Sequence, residues 1–194
     1  PAVPAHRHRL RFHRFRPKTT GSRAGTGGGK YRYNVSEREP LWDYPHPHTL
    51  HTRVRAEDID GLNHTNNTVY VKWCDQVAWS HSEAMGLTLA NYRELDRAMA
   101  ISQAQYNYLQ ASYEGEDIVV GTWLVGWDCK LTMNREFQVI RPADGTTLLR
   151  AAMSLVCIEL SSGKPRRMPK AFTEGYGPAV LTATHMQQNC RLPT

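Results

Sequence analysis

One stretch of this 194-residue chain dictates how the rest can pack. From Val69 to Met85, apolar residues return every three or four positions, as Val69/Tyr70, Trp73/Cys74, Val77/Ala78 and Ala84/Met85, while Lys72, Gln76 and Glu83 fall on another face. That period predicts an amphipathic helix of about five turns. Asn66 is a suitable N-cap and Gly86 a suitable stop. Upstream, residues 49–56 (TLHTRVRA) alternate as a strand does, and the polar turn 57–67 (EDIDGLNHTNN) separates them from the helix. Downstream come four β-rich stretches, roughly Ala98–Leu109, Ile118–Trp127, Leu131–Arg141 and Thr146–Leu160, divided by Glu114-Gly115, Asp128-Cys129-Lys130 and Asp144-Gly145. A lone helix beside four or five long strands buries its stripe only by lying across their sheet. The expected class is α+β, with an antiparallel meander after the helix.

Composition supports a globular domain: 40% hydrophobic, 22% charged and 9% aromatic residues exclude a collagen, a coiled coil or wholesale disorder. No stretch approaches the roughly 20 consecutive apolar residues of a membrane span. The net charge of +6 is unevenly placed. Residues 1–36 hold nine of the 24 Lys and Arg and none of the 18 acids, so the body of the chain is net negative. Residues 1–40 read as a flexible basic Arg/Gly/Pro-rich extension, 41–180 as the folded domain and 181–194 as a C-terminal tail. Within the extension, Arg7–Arg16 alternates basic groups with Leu10, Phe12 and Phe15, a pattern suited to stacking on bases or lying on an anionic surface. A solvated tail, a transit-like segment, or a translation start inside this region near Val35 account for the same residues.

Four widely spaced cysteines (Cys74, Cys129, Cys157, Cys190) lack any C-x-x-C pair, which points to a reducing, cytoplasmic compartment rather than zinc or a disulfide framework. Ala24–Tyr31 fails as a phosphate loop, with Ala24 at the first Gly position and Tyr31 where Ser or Thr is needed. The segment from Asp58 fails as a calcium loop, because Val69 stands where the twelfth-position Glu is required. His46, His48 and His51 read as exposed linker histidines, since no carboxylate or thiolate has matching metal-ligand spacing. No metal and no organic cofactor are expected. There is no G-x-S-x-G.

What remains is Asp58–Tyr70, DIDGLNHTNNTVY, where two acids, a His and three Asn crowd a strand-to-helix turn. Unsatisfied N–H groups and the positive end of the helix dipole meet there and stabilise an oxyanion without a side chain. A carboxylate in the same turn can attack a polarised carbonyl or activate water toward it. An Asx-turn followed by a doubled Asn cap explains Asp60 and Asn66 without chemistry, and spacing alone leaves both readings open.

The segment resembles the signature of the hot-dog-fold acyl-CoA thioesterases of the 4-hydroxybenzoyl-CoA thioesterase superfamily, approximately D-x-D-x-x-x-H-x-N-N-x-x-Y, in its Asp58, Asp60, His64, Asn66, Asn67 and Tyr70. The likeness continues in order through Gln105–Leu109, Gly115-Glu116-Asp117, Leu155–Leu160, Gly163-Lys164-Pro165 and Met168-Pro169, and so covers about residues 48–172. It implies a long central helix wrapped by an antiparallel sheet and the hydrolysis of an acyl-CoA, of fatty type, to free acid and CoA. By the same resemblance Asp60 is the catalytic base or nucleophile, Asn67 offers its backbone N–H to the thioester oxygen, and His64 supports them. Asn66 and Tyr70 are expected at the substrate. Plant-type acyl-carrier-protein thioesterases carry Asn two residues after the Asp, whereas this chain has Leu62 with Asn63 beside it, so the simpler Asp-plus-helix-dipole scheme is preferred.

The resemblance further implies a homodimer or homotetramer with the acyl chain between the helix and a neighbouring subunit; Val71 and Trp79, outside the main apolar stripe, also call for cover. Lys164, Arg166 and Arg167, the one dense basic cluster of the body, read either as a solvated turn or as a grip on CoA phosphates. Trp123 and Trp127 are expected on one face of their strand, filling the core or lining an acyl tunnel. The competing function is a non-catalytic hot-dog subunit of a larger, RNA-containing assembly, anchored by the basic tail, the one segment where nucleic-acid contact is expected. An acyl-thioester dehydratase of the same fold is disfavoured, because its His-bearing helix pattern is not apparent.

Overall fold

Asn66 ends the polar turn by accepting the Thr68 N–H on its side chain at 2.9 Å, and helix α1 (Asn67–Ala84) starts there. A computed structural model of the chain describes residues 42–181, so the expected extension over 1–40 and nearly all of the tail over 181–194 lie outside the described residues. Before α1 come strand β1 (His48–Arg53) and a 3-10 turn at Ala56–Asp58. After it come α2 (Leu89–Glu94), β2 (Arg97–Tyr108), β3 (Asp117–Trp127), β4 (Thr132–Arg141), β5 (Thr146–Glu159) and α3 (Lys170–Tyr176). All strand pairs are antiparallel, and the sheet order is β1-β3-β4-β5-β2.

The apolar stripe of α1 decides the packing. Tyr70, Trp73, Cys74 and Val77 are buried against Ile118, Val120, Phe137, Val139, Ala151 and Met153 of the sheet. Burying a side chain such as Val77 contributes about 1.5–3 kcal/mol, so the stripe can point nowhere but at the strands. Gly86, with φ +77°, reverses the chain after α1 in a conformation that costs glycine nothing. A second apolar cluster, Leu87, Tyr92, Leu124, Met133, Cys157, Phe172 and Tyr176, lets α2 and α3 close the far end of the sheet. No helix among the described residues is long and apolar enough to cross a membrane.

Four expectations change. The four strands after α1 do not form one meander: β3, β4 and β5 do, but β2 skips to the far side of β5 and β1 takes the place beside β3, so that the sheet wraps the helix. The first strand ends at Arg53 rather than at residue 56, because the Asp58 carboxylate takes the Arg55 N–H at 2.9 Å and coils the chain into the 3-10 turn. His48 and His51 stand in β1, paired with Thr122 and Val119, and are not linker residues. Trp123 and Trp127 do not share a face. A bulge between Leu124 and Gly126 inserts one residue, which reverses the alternation beyond it. Trp123 therefore packs edge-on against Trp42 and Tyr44, whereas Trp127 joins the cluster beneath α3.

Candidate active site

The turn before α1 is held by its own backbone. Ile59 and Thr65 form a bridge, the Asp60 N–H donates to the His64 carbonyl at 2.8 Å and the Asn63 N–H to the Asp60 carbonyl at 3.0 Å. Asn63 takes φ 61°, a left-handed position that Asn tolerates better than most residues. Asp60 Oδ1 accepts the N–H of Leu62 at 2.8 Å and of His64 at 3.4 Å. Its Oδ2 accepts no hydrogen bond among the described residues. One oxygen thus makes the Asx-turn while the other stays available.

Asp60 lines a cavity of about 290 Å³ together with Leu62, His64, Asn67, Tyr70 and Tyr108. Asn67 is the first residue of an 18-residue helix, and its N–H has no partner among the described residues, as the first turn of a helix requires. Its carbonyl is tied to the Tyr108 hydroxyl, which donates to it at 3.1 Å. His64, half-buried, sets its ring edge-on to Tyr113 with centroids 5.4 Å apart. Asp60, His64 and Asn67 are therefore brought together around one space.

The other expected residues divide. Asn66 spends its side-chain oxygen on the Thr68 N–H and hydroxyl, at 2.9 and 2.8 Å, and works as a cap. Tyr70 touches the cavity, yet it is only 2% exposed and its hydroxyl is spent on Ser112. That hydroxyl lies 2.7 Å from Ser112 Oγ and accepts the Ser112 N–H at 3.0 Å. Thr65 Oγ1 meets the same Ser112 Oγ at 2.7 Å, and the Thr65 N–H donates to the Ser112 carbonyl at 2.9 Å. This buried knot of Thr65, Tyr70 and Ser112 fastens the acid-bearing turn to the 109–112 loop that walls the cavity. Sequence reasoning missed Ser112, since a serine in a short loop has no periodic or motif signal, and gave no role to Thr65 and Tyr108, although both lie in segments that carry the resemblance.

Lys164, Arg166 and Arg167 are exposed on the turn after β5, where Arg166 pairs with Glu159 at 3.4 Å. Glu159 stands opposite Arg97, at the start of β2, while the cavity abuts Tyr108 at its end. Those ends lie about 36 Å apart along the strand, at about 3.3 Å per residue. Within one chain the basic turn and the Asp60 cavity do not meet. Cys74 supplies no nucleophile, because burial pushes its thiol up to about 12. Among the described residues no cluster of three or more His, Cys, Asp or Glu side chains is arranged to hold a metal.

Comparison with known proteins places this geometry. Residues 54–175 match the sequence profile of the thioesterase-like superfamily. Protein THEM6 of Danio rerio is 29% identical over 108 residues, which is 56% of this chain and 52% of that protein, so the chain spans about half the length of this relative. A 1,4-dihydroxy-2-naphthoyl-CoA thioesterase from Synechocystis superposes with a TM-score of 0.61 at 18% identity, over 67% of this chain and 95% of its own. The Staphylococcus aureus protein SAV2348, solved in complex with CoA, gives a TM-score of 0.64 at 19% identity, over 71% and 87%. These structures share the hot-dog architecture of one long helix on an antiparallel sheet. Since the profile match covers more than half of the sequence and contains the whole acid-bearing turn, the chain belongs to the thioesterase-like superfamily.

Proposed function

We propose that the chain is an acyl-CoA thioesterase that works in the Asp60 cavity. The observation that carries the reading is one cavity lined by both Asp60, whose Oδ2 accepts no hydrogen bond among the described residues, and Asn67, whose N–H has no partner there, at the N-terminus of a long helix. The thioester oxygen sits on the Asn67 N–H, where the helix dipole stabilises the negative charge that develops as the carbonyl is attacked. Asp60 either takes a proton from water as it adds, or adds itself to give an anhydride that water then opens. The C–S bond breaks in either route. CoA leaves as a thiolate that takes up a proton, and the carboxylic acid is released. His64 supports the turn beside Asp60.

The likeness to a CoA-bound protein and to a naphthoyl-CoA thioesterase supports CoA as the carrier. A second copy completes the site in this reading. β2 is an edge strand with one side of its ladder unpaired, and it exposes Ile101 and Tyr108, 52% and 43%, near that edge. Antiparallel addition of a second β2 sets the Arg97 end of one copy beside the Tyr108 end of the other. The basic turn carrying Lys164, Arg166 and Arg167 then approaches the neighbour's cavity and holds CoA phosphates. A panel of aliphatic and aromatic acyl-CoA esters, assayed by thiol release, tests the activity. Turnover of at least one ester well above its spontaneous hydrolysis is expected, and no turnover of any contradicts the reading.

A further inference from the structure

A second cavity, of about 270 Å³, lies between the C-terminal half of α1 and the sheet. It shares no lining residue with the Asp60 cavity, and from Asn67 to Ala78 the helix rises about 16 Å. Trp79, Met99, Met133 and Met153 make its walls largely apolar, and its rim carries the exposed Asp75 and Ile101. Into this space a cation projects. Arg135, on β4, is only 2% exposed. Its Nη1 donates to His81 Nδ1 at 3.1 Å and to Thr122 Oγ1 at 3.3 Å. Its Nε and Nη2 make no hydrogen bond among the described residues, and no ion pair there includes Arg135.

The neighbours accept this arrangement without neutralising it. His81 takes the bond as an uncharged ring, since burial first, then Arg135 and His48, bring its pKa down to about 3. Arg135 is lowered by burial to about 10, which leaves it cationic at neutral pH. Ser82, Tyr92 and Tyr176, all buried, bring hydroxyls to the same cavity, the Tyr176 hydroxyl donating to Ser82 Oγ at 3.2 Å and meeting that of Tyr92.

Among the described residues no fully buried side-chain nitrogen or oxygen lacks a partner, so these donors open onto the cavity, where water or an anion can meet them, and an anion meets a charged donor with the stronger bond. The planar fork of the guanidinium matches a carboxylate, which it can bind by two parallel N–H donors. One cation, with Asp75 at the rim, favours a single negative charge. The apolar walls call for an apolar tail, and the volume holds about nine groups at the roughly 30 Å³ that a water occupies in the liquid. We infer that this cavity binds a free monocarboxylic acid, its carboxylate on Arg135 and a tail of about seven or eight carbons among Trp79 and the methionines. The site stands on residues separate from Asp60 and does not depend on the thioesterase reading.

Calorimetric titration of the full chain with octanoate, octanol and octylammonium, each below its micelle concentration, tests it. Octanoate should bind saturably, at least tenfold more tightly than either of the others. Arg135→Met, which puts a side chain of fitting character in an apolar wall, should abolish that preference. Met99→Trp fills part of the cavity from a half-buried position and leaves Arg135 in place, so it should weaken octanoate severalfold whether or not Arg135→Met folds. Asp60→Asn should bind octanoate as the unaltered chain does, which separates this site from the Asp60 cavity. Equal binding of octanoate and octanol, absence of saturable binding, or a preference that survives Arg135→Met would overturn the proposal.

Discussion

Asp60 joins a structural role to the chemical one proposed for it: Oδ1 closes the turn on Leu62, while Oδ2 accepts no hydrogen bond among the described residues and the residue lines the cavity. The Asx-turn and the catalytic carboxylate were alternatives from spacing, and the geometry makes them compatible. Tyr70 teaches the opposite lesson. Its place in the motif suggested a substrate contact, but its hydroxyl is consumed by Ser112. Nothing in the sequence marks that bond, because Ser112 lies 42 residues away in a loop without periodicity. Tyr70→Phe leaves a buried Ser112 N–H unpaired, which costs about 1–3 kcal/mol. Thermal unfolding of Tyr70→Phe, Ser112→Ala and the double variant should give losses that do not add, with the double variant little worse than the worse single. Additive losses would show that the two side chains act independently.

At the level of elements, the strands and the helix were legible to within one or two residues at most ends, because long periodic segments bounded by Asn66, Gly86 and Gly145 leave few alternatives. The short helices α2 and α3 were not, since six or seven residues carry less than two full turns of pattern. The bulge in β3 was equally invisible: one inserted residue needs no special sequence, yet it sends Trp123 and Trp127 to opposite faces. Trp123 is then covered by Trp42, whose ring lies flush on Gly121. A Cβ at Gly121 would come within 2.6 Å of that ring. Gly121→Ala should therefore displace Trp42, cost about 1–3 kcal/mol as overpacking does, and expose a tryptophan to fluorescence quenching. Unchanged stability and quenching would mean that Trp42 does not seal this face.

For the whole molecule, the fold and family were readable because the resemblance ran in order along the chain. The assembly followed from the resemblance alone, because the basic turn and the acid-bearing turn lie toward opposite ends of β2. Only a second copy reunites them in the proposed site. Light scattering should give at least a dimer, and negative charges added to β2, such as Gln103→Glu with Gln105→Glu, should repel their copies across the edge, weaken the dimer and lower activity in parallel. A monomer that hydrolyses acyl-CoA at full rate would refute the shared site.

The central claim, that the turn before α1 hydrolyses thioesters through Asp60, is tested most directly by the turnover number of Asp60→Asn on whichever acyl-CoA the chain cleaves best. Asn keeps the size and the Asx-turn, so the melting temperature should barely move. Removal of a positioned base should lower turnover by about 10²–10⁴-fold, while Asp58→Asn, whose carboxylate holds the Arg55 N–H outside the cavity, should lose far less. Full turnover in a folded Asp60→Asn would contradict the account.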